Sequence, residues 1–199
     1  MWEHKGLFIL TGQPARLFIA VDLTEEIRRE LGALIGSLKR LGADVRWSPE
    51  NNLHLTLKFL GDTPETRIGE IVEALGVIAS GRAPFSASFG GLGAFPDTKN
   101  PRILWAGLVS GLTEMNDLAL AVETRMFRLG FAKEERPFSP HLTLGRVRTS
   151  GNTASLSQVI ENSGYRLDLQ LVVDHVTLYQ SVLTPGGSVY SALQRVDFK

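Results

Sequence analysis

The sequence predicts an α+β chain built as two related lobes, on three observations. Strand-length apolar segments interleave with helical ones, a strand-helix-loop-strand unit occurs twice, and an H-x-T-L tetrapeptide opens the last strand of each unit. Three of the four histidines, His54, His141 and His175, begin that tetrapeptide.

Taken in order, Arg16–Leu23 (RLFIAVDL) and residues 53–60 (LHLTLKFL) have strand length and apolar content, and the second alternates with period two. Between them residues 24–41 read as a helix: Thr24 is an N-cap ahead of Glu25 and Glu26, and Gly42 follows Arg40-Leu41 as a stop. A helix over 64–80 and a short strand over 85–89 come next. The second unit repeats the first with a strand over 103–109, a helix over 112–129 stopped by Gly130, and a strand over 141–147. A helix over 155–162 and strands over 166–173, 176–183 and 189–196 complete the chain.

The repeat aligns RLFIA at 16–20 with RILWA at 102–106, and each is followed by a helix ending in RLG. From the strand's arginine to the motif's histidine the separations are 38 and 39 residues. Segments 16–60 and 102–147 are thus expected to be equivalent, within one bilobal domain over 16–199 in which His54 and His141 correspond. Upstream of His175 no such unit stands, so His175, beside Asp174, is read as a structural histidine. Residues 1–15 read as an extension, with the apolar run GLFIL too short for a signal-peptide core.

With no cysteine, thiolate nucleophiles and disulfides are excluded, and a reducing cytoplasm is the expected location. Equal numbers of acidic and basic residues, 21 each, exclude a protein that coats nucleic acid through bulk charge while allowing a local phosphate pocket. No segment has the length and apolarity of a membrane span, so no membrane partner is expected.

In a regular strand, His54, Thr56 and Lys58 share one face while Leu53, Leu55, Leu57 and Phe59 share the other, toward the helices. His141 and Thr143 repeat the arrangement. If the lobes meet across their axis, two imidazoles and two hydroxyls converge. Paired imidazoles can divide acid and base work near neutral pH, and threonine hydroxyls can donate to phosphate oxygens as charge builds on them. That set fits attack at phosphorus without metal or cofactor. No H-x-x-x-H spacing or neighbouring carboxylate pair supports zinc.

The paired motifs HLTLKFLG and PHLTLGR, with RLFIAVDL, GLGAFPDTKNPRILWAGL and LYQSVLTPGGSVY, give the chain a further reading. Together they resemble the RNA 2',3'-cyclic phosphodiesterases of the 2H phosphoesterase superfamily, also called the 2'-5' RNA ligase family. The similarity covers about Arg16 to Val196. It implies two mainly antiparallel sheets flanked by helices around a central cleft, and hydrolysis of RNA 2',3'-cyclic phosphate ends to 2'-phosphomonoesters; a monomer without cofactor is expected. It further implies that His54 is the general acid, His141 the general base, and Thr56, Thr143 and Arg146 phosphate ligands. Ligation of tRNA halves, the reverse chemistry, is the nearest alternative; small cyclic nucleotides or 2'-5' oligoadenylate as substrates, and an RNA-end binding module, stand behind it.

Arg146 lies five residues after His141, an odd offset that a regular strand would turn away from the cleft, so a bulge or strand end is expected at Gly145. The same offset from His54 reaches Phe59, where no glycine relaxes the backbone, and Phe59 is assigned to the core, with stacking on a base as the alternative. Phe18, Trp47, Trp105 and Tyr179 are aromatic candidates for stacking on a base, each also compatible with a core position, Trp105 especially.

Overall fold

The computed structural model describes residues 14–149, 151–162, 167 and 169–199. Two antiparallel sheets form the α+β architecture expected from the sequence. One has the order β3-β1-β8-β9, formed by Leu55–Thr63, Ala15–Val21, His175–Thr184 and Gly187–Asp197. The other has the order β2-β6-β5-β4-β7, formed by Val45–Trp47, His141–Val147, Ile103–Ser110, Phe85–Phe95 and Leu169–Val173. The segment set aside as an extension mostly lies outside the described residues, but Ala15 is buried within β1.

Helices cover only one face of each sheet. α1 (Glu25–Lys39) is capped by Thr24, whose hydroxyl accepts the Ile27 amide at 3.2 Å, and the chain leaves it through Gly42 at φ +76°. Its Leu38 shares a small void with Leu104 and Leu144 of the second sheet and with Leu156 and Ile160 of α4 (Ala154–Asn162). α3 (Leu112–Arg128) instead touches β3 of the first sheet and α2 (Ile68–Ser80), which packs on β8 and β9. Leu38 thus takes the helix following β1 to the sheet that contains β5, while the helix following β5 reaches both β3 of the first sheet and β4 of the second. These contacts bind the halves together, and each helix brings its apolar stripe, such as Leu31, Leu34 and Leu38 or Met115, Leu118 and Val122, to the common core.

Two strands differ from the sequence reading. β2 has three residues, too short to show a period. β4 extends to Phe95, beyond a glycine-rich stretch; Gly93 leaves space for the Trp105 ring, which would lie 2.1 Å from a Cβ added there. Among the described residues no helix is long and apolar enough to cross a membrane.

Candidate active site

β3 and β6 come into contact, joined through Ser48, whose amide donates to the Leu144 carbonyl and whose hydroxyl donates to the Thr143 carbonyl, both at 2.8 Å. Six residues beyond Ser48 the chain reaches His54, just ahead of β3. The two H-x-T strands thus meet where the sheets adjoin, and the face that carries both histidines is termed the groove side.

Each histidine is set by the same local device. Nδ1–H of His54 donates to the Asn52 carbonyl at 2.8 Å, and Nδ1–H of His141 donates to the Ser139 carbonyl at 2.8 Å. A carbonyl only accepts, so both neutral rings carry their proton on Nδ1 and present an unprotonated Nε2. Nε2 of His54 is 3.0 Å from the Thr56 hydroxyl; Nε2 of His141 has no hydrogen-bond partner among the described residues.

Bulges decide which other residues share the groove. Along β3, Ile19 faces Lys58 and Ala20 faces Thr56, leaving Leu57 as an extra residue. Along β6, Leu104 faces Gly145 and Trp105 faces Thr143, leaving Leu144 extra. Both bulges fall three residues after the histidine. The β6 bulge adjoins the glycine where the sequence called for one and turns Arg146 outward onto the face of His141 and Thr143, while Leu142, Leu144 and Gly145 are buried. The equivalent bulge on β3 overturns two expectations. Lys58 swings to the helix side, 6% exposed, where it donates to Glu123 at 2.7 Å and to the Ala132 carbonyl at 2.8 Å. Phe59 emerges on the groove side, 64% exposed, with its ring 5.9 Å from Phe18. The bulges also slip the repeat alignment by one: Ala20 and Trp105, not Ala20 and Ala106, stand opposite the two threonines.

The two walls differ in chemistry. Around His54, Phe18 lies 4.8 Å away, Tyr190 meets the ring edge-on at 5.3 Å, and Tyr179 stacks on Phe18 at 5.1 Å. Burial among these rings holds the His54 imidazole below the ordinary histidine value, against upward pulls from its Asn52 hydrogen bond and the Asp22 charge; the Arg28 charge adds to the lowering. Around His141, Phe95 meets the ring edge-on at 5.0 Å and Trp105 lies beside Phe95 at 5.3 Å, on the groove face and not in the core. Arg46 of β2 stands directly opposite Arg146, and neither is ion-paired among the described residues. Such a like-charged cross-strand pair repels unless an anion lies between or near it.

Phe95, Tyr190 and Arg46 escaped sequence reasoning. Only Arg46 left a signal, an arginine in the loop between the first helix and the first motif. His175, read as structural, is 8% exposed and bonded on both nitrogens to carboxylates, with Nε2 2.8 Å from Asp22 and Nδ1 on Asp174. Trp47 packs with Val45 over Gly145 on the helix side. A cavity of about 360 Å³ between α2 and α3, lined by Ile78, Arg82, Leu120 and Arg125 among others, contains none of these groups. Among the described residues, no cluster of three or more His, Cys, Asp or Glu side chains could hold a metal ion.

Comparison with known proteins agrees with this architecture. The family model described as LigT like Phosphoesterase matches residues 21–105, which include His54, and 110–190, which include His141. The RNA 2',3'-cyclic phosphodiesterase of Thermotoga maritima is 34% identical over 184 residues, spanning 92% of this chain and 96% of its own. That of Methanothermobacter thermautotrophicus is 34% identical over 179 residues, spanning 90% and 96%. Among solved structures, a Thermus thermophilus protein superposes with a TM-score of 0.78 at 28% identity, covering 92% of this chain and 97% of its own. E. coli LigT complexed with 3'-AMP superposes with a TM-score of 0.75 at 26% identity, covering 94% and 99%. With the matching model spanning most of its length, the chain belongs to the LigT-like phosphoesterase family.

Proposed function

We propose that this phosphoesterase hydrolyses RNA 2',3'-cyclic phosphate ends to 2'-phosphomonoesters, with His54 and His141 sharing the proton transfers. The observation that carries the reading is the matched pair of Nδ1–H bonds to backbone carbonyls, which sets both rings in one tautomer and turns each Nε2 away from the backbone, that of His54 onto the Thr56 hydroxyl. The names of the relatives, and the 3'-AMP bound to E. coli LigT, support a nucleotide phosphate as the ligand.

In this mechanism Nε2 of His141 takes a proton from water as the water oxygen attacks phosphorus. The P–O3' bond breaks, and Nε2–H of His54 delivers its proton to O3'. One water is consumed, leaving a 2'-phosphate and a free 3'-hydroxyl. His141 then returns its extra proton to solvent and His54 regains one. Because burial disfavours the charged His54 ring, the anionic substrate itself helps to supply the acid form, by adding negative charge beside the imidazole. Thr56, Thr143 and Arg146 donate to the non-bridging oxygens, where charge grows in the transition state. Phe59, exposed at the groove edge, offers a stacking face to the terminal base.

The test is an oligoribonucleotide ending in 2',3'-cyclic phosphate, incubated with the protein and a chelator. The expected product carries phosphate on the 2' oxygen alone. A 3'-phosphate would contradict the assigned leaving group, and loss of turnover with chelator would replace the two-histidine mechanism by a metal-dependent one.

A further inference from the structure

The third H-x-T copy lies beside the first. Thr56 on β3 and Thr177 on β8 both stand opposite Ala20 of β1, so the two motifs flank that strand in one sheet. Just past the end of β1, Asp22 gathers the third copy. One carboxylate oxygen accepts from Nε2–H of His175 at 2.8 Å and from the Thr177 hydroxyl at 2.7 Å; the other accepts from the Tyr179 hydroxyl. Nδ1–H of His175 donates to Asp174, which also lies 3.6 Å from Arg195. With carboxylates on both nitrogens, His175 is placed to donate from both as an imidazolium.

This cluster reaches the catalytic wall through one ring. Tyr179, held at its hydroxyl by Asp22, stacks on Phe18 with an interplanar angle of 9°, and Phe18 in turn lies 4.8 Å from His54. A tyrosine without that anchor would be fixed by packing alone, and an imidazole resting on its stack would share the added freedom. We propose that the third motif supports the first: Asp22, gripped by His175 and Thr177, is a positioning residue that holds Tyr179 on Phe18 and so orients the His54 imidazole.

The inference rests on His54 being catalytic, and it carries a consequence independent of turnover. The charged or titratable groups around His54 are Asp22 after β1, Arg28 on α1, Tyr179 on β8 and Tyr190 on β9, with His175, Asp174 and Arg195 behind Asp22. Of these, Asp22 is the anion that favours the protonated His54 ring. The carboxylate itself is held below the usual range: burial raises it, but the hydrogen bonds from His175, Tyr179 and Thr177 together outweigh burial.

The experiment compares the wild-type chain with Asp22→Asn and Tyr179→Phe, following the His54 imidazole resonances through a pH titration by NMR and measuring kcat and KM on a cyclic-phosphate oligonucleotide. Asp22→Asn is expected to move the His54 midpoint to lower pH and reduce kcat about 10- to 100-fold, with KM within about twofold. Tyr179→Phe keeps the ring and loses only the anchor, and is expected to lower kcat by a smaller factor. A folded Asp22→Asn protein with the wild-type kcat overturns the proposal, even if its melting temperature falls, because a merely structural network would change stability alone. If Asp22→Asn does not fold, Tyr179→Phe decides: unchanged kcat overturns the proposal and reduced kcat supports it. Should the wild type fail to hydrolyse the substrate, the functional reading fails, and the NMR arm still tests the link between Asp22 and His54.

Discussion

The wall around His54 and the wall around His141 are built on one plan and differ in what that plan presents. Both histidines donate Nδ1–H to the carbonyl two residues back, and both strands bulge three residues later. Five residues after each histidine the bulge delivers a side chain to the groove, Phe59 on one side and Arg146 on the other. The first wall is aromatic and lowers the proton affinity of its imidazole; the second is cationic and leaves its Nε2 open. On the proposed mechanism, the shared backbone device aims both rings while the differing side chains divide recognition between base and phosphate.

The largest expected effects abolish either half of the pair. His54→Ala and His141→Ala should each reduce kcat by about 10²- to 10⁴-fold on the cyclic-phosphate substrate, with circular dichroism unchanged. If one mutant keeps near-normal turnover, the two walls do not share the chemistry. A smaller free energy, spent on stability, attaches to the bulge on the His54 side. Lys58 and Gly145 occupy equivalent places, but Lys58 fills its place with a buried ion pair to Glu123. Lys58→Ala removes that partner from a half-buried carboxylate that keeps the Glu134 amide as a donor, and should cost about 1.5–3 kcal/mol of unfolding free energy in denaturant titrations. A loss below about 1 kcal/mol would show that the ion pair is not what anchors this bulge.

How much of this was legible in the sequence follows from what leaves a local signature. The motif alternation placed His54 with Thr56 and His141 with Thr143, and Thr24, Gly42 and Gly130 marked helix ends because caps depend on local hydrogen bonding and φ. Gly145 announced a bulge. Leu57 did not, since an extra residue in a strand is fixed by its neighbour's register, and Lys58 and Phe59 consequently exchanged faces. β2 was too short to carry a period, which hid Arg46 opposite Arg146. Asp22 had a signal that went unused: it continues the alternation of Phe18 and Ala20 on the groove face.

Smaller effects come from the two equivalent side chains. Arg146→Ala should lower kcat/KM by about 10- to 150-fold, the value of one charge-assisted contact to phosphate, with Arg146→Lys recovering part of it. Phe59→Ala should raise KM by about 5- to 100-fold, as expected for one stacked base, and leave kcat nearly unchanged. If Phe59→Ala lowers kcat and Arg146→Ala raises only KM, the division between base-binding and phosphate-binding walls is reversed.

The pH dependence gives the smallest shift and the sharpest test of roles. kcat/KM reports the ionisations of the free enzyme, in which burial holds His54 below its ordinary value of 6.5. As general acid, His54 must be protonated to act, so activity is lost as pH rises through its lowered value. The alkaline limb of the profile should therefore lie below pH 6.5, and His54→Ala should remove it. Were His54 the base, its neutral form would be the active one. Activity would then be lost as pH falls through the same lowered value, and the His54-dependent limb would appear on the acid side. Measuring which limb His54→Ala abolishes, with residual activity followed from about pH 4 to about pH 9, assigns acid and base to the aromatic and cationic walls.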